Sequence, residues 1–138
     1  MFDRTQQPLL IARLRMVLTA LERIPTRFAS IQQPSDFVSS DAGLERMDSI
    51  CMVLIAAGEE FKKLDRDTDG QIFASYPEVS WRGAMGLRDV LAHGYFQVDP
   101  EQLFSICQDN IPQFLQALHQ IIQDLEDSLE EQVPEENN

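Results

Sequence analysis

Apolar residues recur at three- and four-residue steps through most of this 138-residue chain, a spacing that lays a stripe along one side of an α-helix. The first stripe runs Leu10, Leu14, Val17, Leu21, Ile24, Phe28 and Ile31. Pro8 suits its first turn, where a missing N–H costs nothing, while Pro25 either kinks the helix or splits off its last turn or two. The second stripe is Leu44, Met47, Cys51, Leu54, Ile55, Gly58, Phe61 and Leu64, behind the candidate caps Ser39, Ser40 and Asp41. Glycine is unfavourable inside a helix, so Gly58 predicts a close helix–helix crossing. Residues 65–79 read as the longest loop. Ser80 then caps a third helix with Trp81 in its first turn and Leu87, Val90 and Leu91 on its apolar side. Gly94 predicts its stop at His93, because glycine suits the left-handed residue after a helix end. Asp99-Pro100-Glu101-Gln102 starts a fourth helix, Pro112 interrupts it, and Phe114, Leu115, Leu118, Ile121, Ile122, Leu125 and Leu129 stripe the last. No segment alternates as a strand does. The expected fold is all-α, an antiparallel four- to five-helix bundle. It forms one domain over residues 1–129, followed by a frayed acidic tail over 130–138.

Charge narrows the partners. The net charge is −12, which argues against coating nucleic acid broadly, because phosphate contacts dominate that affinity. The charge is unevenly spread: up to His93 there are 11 basic and 13 acidic residues, and after it 10 acidic and none basic. An anion-binding surface must therefore come from the first two-thirds, and the acidic end faces solvent or a basic partner. No apolar run approaches 18 residues and no secretory pattern opens the chain, so neither a membrane partner nor export is expected and a cytoplasmic location is. Cys51 and Cys107 fall on apolar stripes without metal-ligand neighbours, as buried reduced thiols do.

One segment imitates a calcium loop. Asp65, Asp67 and Asp69 take loop positions 1, 3 and 5, Gly70 provides the sharp turn, and Ile72 is the apolar position 8. Position 12 needs a bidentate glutamate and is Tyr76, and Pro77 follows where a helix should leave. The favoured reading is an Asp-rich helix end with a glycine turn. No metal or other cofactor is expected.

The densest chemistry lies in Arg88-Asp89-Val90-Leu91-Ala92-His93-Gly94-Tyr95. Zinc needs three or four ligands and His93 has no partner at ligand spacing. No nucleophile elbow or glycine-rich phosphate loop is present. Arginine offers a planar fork to phosphodiester oxygens, and histidine moves protons near neutral pH. RNA cleavage through its own 2′-hydroxyl needs no metal but is helped by one base and one acid. On a straight helix Arg88 and Tyr95 lie about two turns apart on one side, whereas Arg88 and His93 are about 140° apart. The only other histidine, His119, falls on the polar side of the last helix. A symmetric pair of chains would supply two copies of His93, so a homodimer is expected.

The segment resembles the R-x4-H-x-Y signature of HepT toxins, the HEPN-domain partners of minimal nucleotidyltransferase (MNT-type) antitoxins, and fits it without a gap. The flanks agree: Tyr76-Pro77-Glu78-Val79-Ser80-Trp81-Arg82 before it, Gly86-Leu87-Arg88-Asp89, and Phe96-Gln97-Val98-Asp99 after it. Gly58-Glu59-Glu60 is similar to a Gly-Glu-Ala turn of that family, and the likeness covers roughly residues 5–126. It implies a HEPN-like bundle and the toxin of a type II/VII-like toxin–antitoxin pair, a metal-independent ribonuclease acting on RNA such as tRNA. Arg88 would bind the scissile phosphate and His93 would act as base or acid. Tyr95 would be the hydroxyl that the antitoxin modifies with AMP. Arg82 and Asp89 are further candidates for substrate or phosphate binding. Many members carry Asn where this chain has Asp89, a carboxylate that could pair with His93 yet repels substrate. DNA is not an expected partner. The competing reading is a non-catalytic helical subunit that binds nucleotides or docks a nucleotidyltransferase.

Overall fold

The structure, a computed structural model, describes residues 5–93 and 95–132. The side chains of residues 88–90, 92, 93, 95 and 132 lie outside that description. The described residues form helices α1 (Gln7–Leu21), α2 (Arg23–Phe28), α3 (Asp41–Asp67), α4 (Gln71–Ala74), α5 (Trp81–His93), α6 (Pro100–Ser105) and α7 (Ile111–Gln132), and among them no strand occurs. The chain is an all-α bundle, as the periodicity predicts.

Prolines mark several of the helix starts and breaks. Pro8 sits in the first turn of α1. Pro25 splits rather than kinks the first stripe, separating α2 from α1. Pro112 acts differently: the helix passes from α6 into α7 through a π-helical turn, Ile106–Asn110. Proline lacks an N–H and its ring crowds the carbonyl four residues back, and a wider turn accommodates both. The 3-10 turn Pro34–Phe37 tucks Phe37 fully into the core. Expected caps are made: Ser40 Oγ accepts from the Gly43 amide at 3.0 Å, and Asp99 Oδ1 from the Glu101 amide at 2.9 Å.

Two differences from the sequence reading are local. The long loop after α3 contains the short helix α4, started by Thr68, whose hydroxyl accepts from the Ile72 amide at 3.2 Å and donates to the Leu64 carbonyl at 2.8 Å. The last helix runs through Gln132, three residues past the expected boundary, and residues 133–138 lie outside the described part.

Packing places α5 against α3, and α1 against both α7 and α3. Leu14, Leu21, Ile24, Ile50, Leu64, Leu118 and Ile121 are fully buried between them. Polar ties reinforce the layers. Arg13 pairs with Glu60 at 2.8 Å and Asp67 at 3.0 Å across α1 and α3, and Arg15 pairs with Glu126 across α1 and α7. Both thiols are buried. Burial and the nearby Asp48 charge push Cys51 up to about 11; burial, with a smaller contribution from Cys51, pushes Cys107 up to about 12. No described helix is long and apolar enough to cross a membrane.

Candidate active site

Everything that positions the signature is built at the start of α5. Ser80 Oγ accepts from the Gly83 amide at 3.2 Å and its carbonyl from the Ala84 amide at 3.1 Å, so the expected cap is formed. Trp81 fixes the first turn. Its ring stacks on Phe73 with centroids 4.3 Å apart and meets Phe61 and Phe114 edge-on at 5.4 and 5.6 Å. Its Nε1 donates to the Tyr76 carbonyl at 2.9 Å. Tyr76 in turn donates its hydroxyl to Asp124 on α7 at 2.6 Å, and burial together with that carboxylate raises its pKa well above the ordinary tyrosine value.

One turn further on, α5 crosses α3 at the predicted glycine. A Cβ at Gly58 would lie 2.7 Å from the Ala84 carbonyl oxygen, so the two backbones approach as they do only because no side chain intervenes. Phe61 sits against Trp81 and Gly58 against Ala84, so each step along α5 is matched by a step backward along α3. Continued at that register, position 88 falls level with Leu54 and position 93 with Ser49. Leu91 is buried and Leu87 half-buried, as the apolar side requires.

The backbone is helical from Trp81 through His93, and a 3-10 turn covers Tyr95–Gln97. The side chains of Arg88, Asp89, His93 and Tyr95 lie outside the described part, so the structure gives their places along the helix and turn and no contacts. Those places are informative. Position 88 follows Ala84 by four residues and precedes Leu91 by three, which puts it on the α3 side of α5. Position 93 joins positions 82, 86 and 89 in a stripe on the other side. Because the helix is unbroken through His93, the backbone positions of Arg88 and His93 keep their separation of about 140°. Arg82 is exposed and, among the described residues, forms no ion pair. His119 is exposed on α7.

The calcium-like segment is built as a helix end. Asp65 and Asp67 belong to α3, where two residues' spacing turns carboxylates about 200° apart rather than toward one point. Hydrogen bonds from Arg66 and Arg13 engage Asp67 and hold its carboxyl below the usual range. The Gly70 amide bonds the Asp65 carbonyl at 2.8 Å and the Asp69 amide the Arg66 carbonyl at 3.3 Å, the paired closure of a Schellman motif. Asp69 and Gly70 are both left-handed, with φ of 50° and 76°. Among the described residues no group of three or more His, Cys, Asp or Glu side chains could hold a metal ion.

Two residues of the motif's flanks lie outside the helical stripes. Phe96, on the turn after the signature, is 99% exposed, and nothing in its spacing marks it. Gly86, inside α5, has one sequence signal, that of a glycine at an interior helix position.

Comparison with known proteins points to one family. The family model described as "Ribonuclease HepT-like" matches residues 17–121. Three relatives from Methanocaldococcus jannaschii, each named as a candidate RNase, are 35% identical over 69 residues, 34% over 77 and 33% over 76. These matches cover 50, 56 and 55% of this chain, and only 54, 61 and 58% of the relatives' own lengths. No solved structure matches the chain.

Proposed function

The chain belongs to the HepT-like ribonuclease family, and from that premise we propose that it is a toxin-type, metal-independent endoribonuclease whose site is Arg88 and His93. The observation that carries this reading is the ungapped R-x4-H-x-Y signature within the family match, on the last turns of a helix anchored by Trp81 and Gly58 and on the 3-10 turn that follows. Arg88 holds the non-bridging oxygens of the scissile phosphate and offsets the charge that grows there. One His93 takes the proton of the ribose 2′-hydroxyl, whose oxygen attacks phosphorus. The P–O5′ bond breaks, and a proton delivered to O5′ completes the exchange, leaving a 2′,3′-cyclic phosphate and a 5′-hydroxyl. One imidazole cannot be base and acid in the same step, so the second comes from a second copy of the chain, which makes the working form a homodimer. The substrate is RNA, with tRNA the expected target.

Tyr95 is the off-switch. A nucleotidyltransferase of the MNT type attaches AMP to its hydroxyl, and each AMP adds bulk and a negative charge seven residues from Arg88, opposing entry of RNA. The acidic surface after His93 suits a basic face on that partner.

The test is cleavage of total RNA by the purified chain in EDTA. Loss of about 100-fold or more in His93→Ala and in Arg88→Ala, the range of general acid–base catalysis, with 5′-hydroxyl ends on the products, is the expected result. Variants that cleave as fast as the wild type would sink it. Tyr95→Phe should cleave normally and resist the antitoxin. The acidic end of the chain, with 10 acidic residues and none basic after His93, suits docking of a basic partner and so also fits the second reading, a non-catalytic nucleotide- or partner-binding subunit. That reading predicts no cleavage by the wild type and none gained by Asp89→Asn.

A further inference from the structure

Glycine is the least favourable residue inside a helix apart from proline, so each helix glycine invites a reason. Gly58 has Ala84 against it, Gly43 has the Asp36 backbone, and Gly83 has Ser80 Oγ at 2.7 Å. Gly70 is left-handed. Gly86 has no such reason: among the described residues, a Cβ there would meet nothing within 4 Å. It is the sixth residue of a 13-residue helix and half-buried, and among the described residues nothing stands where an alanine methyl would go.

None of the described residues supplies that reason. Gly86 follows the exposed Arg82, which forms no ion pair among the described residues, by four positions and precedes position 93 by seven. All three share the stripe of α5 that faces away from α3. A missing side chain lowers the helix surface at this half-buried point, with the Arg82 guanidinium one helical turn away along the sequence. We infer that this stripe is the track along which the substrate RNA strand reaches the site: Gly86 is the notch its backbone crosses, and Arg82 binds a phosphate outside the scissile one. The distance suits a flanking contact, since eleven residues of helix place position 82 about 16 Å from position 93. Position 89 completes the stripe, and because a carboxylate repels phosphate, the phosphate contact falls to Arg82. A second copy crossing at Gly86 would instead have to desolvate the Arg82 charge.

The inference rests on the ribonuclease reading, and the experiment separates the two. Binding is measured by anisotropy with a fluorescent single-stranded oligoribonucleotide that is 2′-O-methylated throughout and so cannot be cleaved. Gly86→Leu should raise Kd about tenfold and Gly86→Ala less, both with melting temperatures at or above the wild type's. Arg82→Ala should weaken binding about five- to tenfold and reduce the salt dependence by roughly one phosphate contact, a slope change of about 0.7 for single strands. In cleavage assays the same variants should raise KM with kcat unchanged. Folded Gly86→Leu with an unchanged Kd overturns the inference, as does a wild type that does not bind the probe. Dissociation of Gly86→Leu into monomers by sedimentation, with RNA affinity per dimer preserved, assigns the notch to contact between copies and also overturns it. If Arg88→Ala and His93→Ala cleave normally while Gly86→Leu still loses affinity, the catalytic assignment fails and the track stands.

Discussion

Gly58 and Gly86 are the same residue in the same local setting, the interior of a helix that packs in one bundle. At Gly58 the missing side chain admits the Ala84 carbonyl, and the whole placement of α5 follows from that approach. At Gly86 the missing side chain admits nothing described in this chain. One glycine serves the fold, and the other has no described neighbour to serve. Identical local chemistry thus carries opposite consequences, and only the neighbours tell them apart.

The contrast can be broken most forcefully at the Gly58 end. Phe61, one turn away and 2% exposed, meets the rings of Phe73, Trp81 and Phe114. Phe61→Ala should cost about 3–5 kcal/mol in urea unfolding, the usual loss for a buried phenylalanine. A loss under about 1 kcal/mol, far below that range, would mean that the crossing is not held by that cluster. Gly58→Ala comes next. Its Cβ would press on the Ala84 carbonyl, and overpacking of this kind costs about 1–3 kcal/mol, more than the helix propensity it gains. Chemical denaturation would read it, and a stabilised variant would refute the close crossing. At Gly86 the sign reverses: the same substitution should stabilise the fold by up to about 1 kcal/mol, because helix propensity improves and no contact is strained. A destabilised Gly86→Ala would reveal an internal constraint and erase the contrast.

The smallest effect concerns the anchor of α5. Tyr76 holds Trp81 through its carbonyl and Asp124 through its hydroxyl. Its folded-state pKa lies above the ordinary value of 10.0, so the folded chain keeps the phenol proton longer than the unfolded one does. That contribution is present in full below about pH 10 and is lost as pH rises through the raised value. Tyr76→Phe should therefore flatten the fall in stability above about pH 10, measured by thermal melts across that range. An unchanged alkaline limb would show that the pair with Asp124 contributes nothing.

Much of this architecture is legible in the amino-acid sequence. Ser40, Ser80 and Asp99 announce helix starts, because short polar side chains satisfy amides that have no partner in the first turn. Gly58 announces a crossing because little else excuses glycine at a buried helical position. Helix α5 runs through His93, while Gly94, read from the sequence as its stop, lies outside the described residues. Two things stay hidden from such local rules. Helix α4 depends on Thr68 being buried and bonded to two backbone groups at once. The calcium-like run of Asp65, Asp67 and Asp69 follows a loop pattern, but α3 continues far enough to wind two of the three carboxylates apart. Of the candidate site, the residue types and their spacing along α5 are readable, while the register of that helix against α3 is not.

By itself, the sequence determined the helical period, most caps and breaks, and the signature that joins an arginine, a histidine and a tyrosine within one helix and its exit. These are local properties, set by side chains acting on backbone within a turn or two. Which face of α5 turns toward α3, and which glycine has a neighbour, were decided only by tertiary structure. Both depend on contacts between residues distant in sequence, and no periodicity encodes the atom that will stand opposite a missing Cβ.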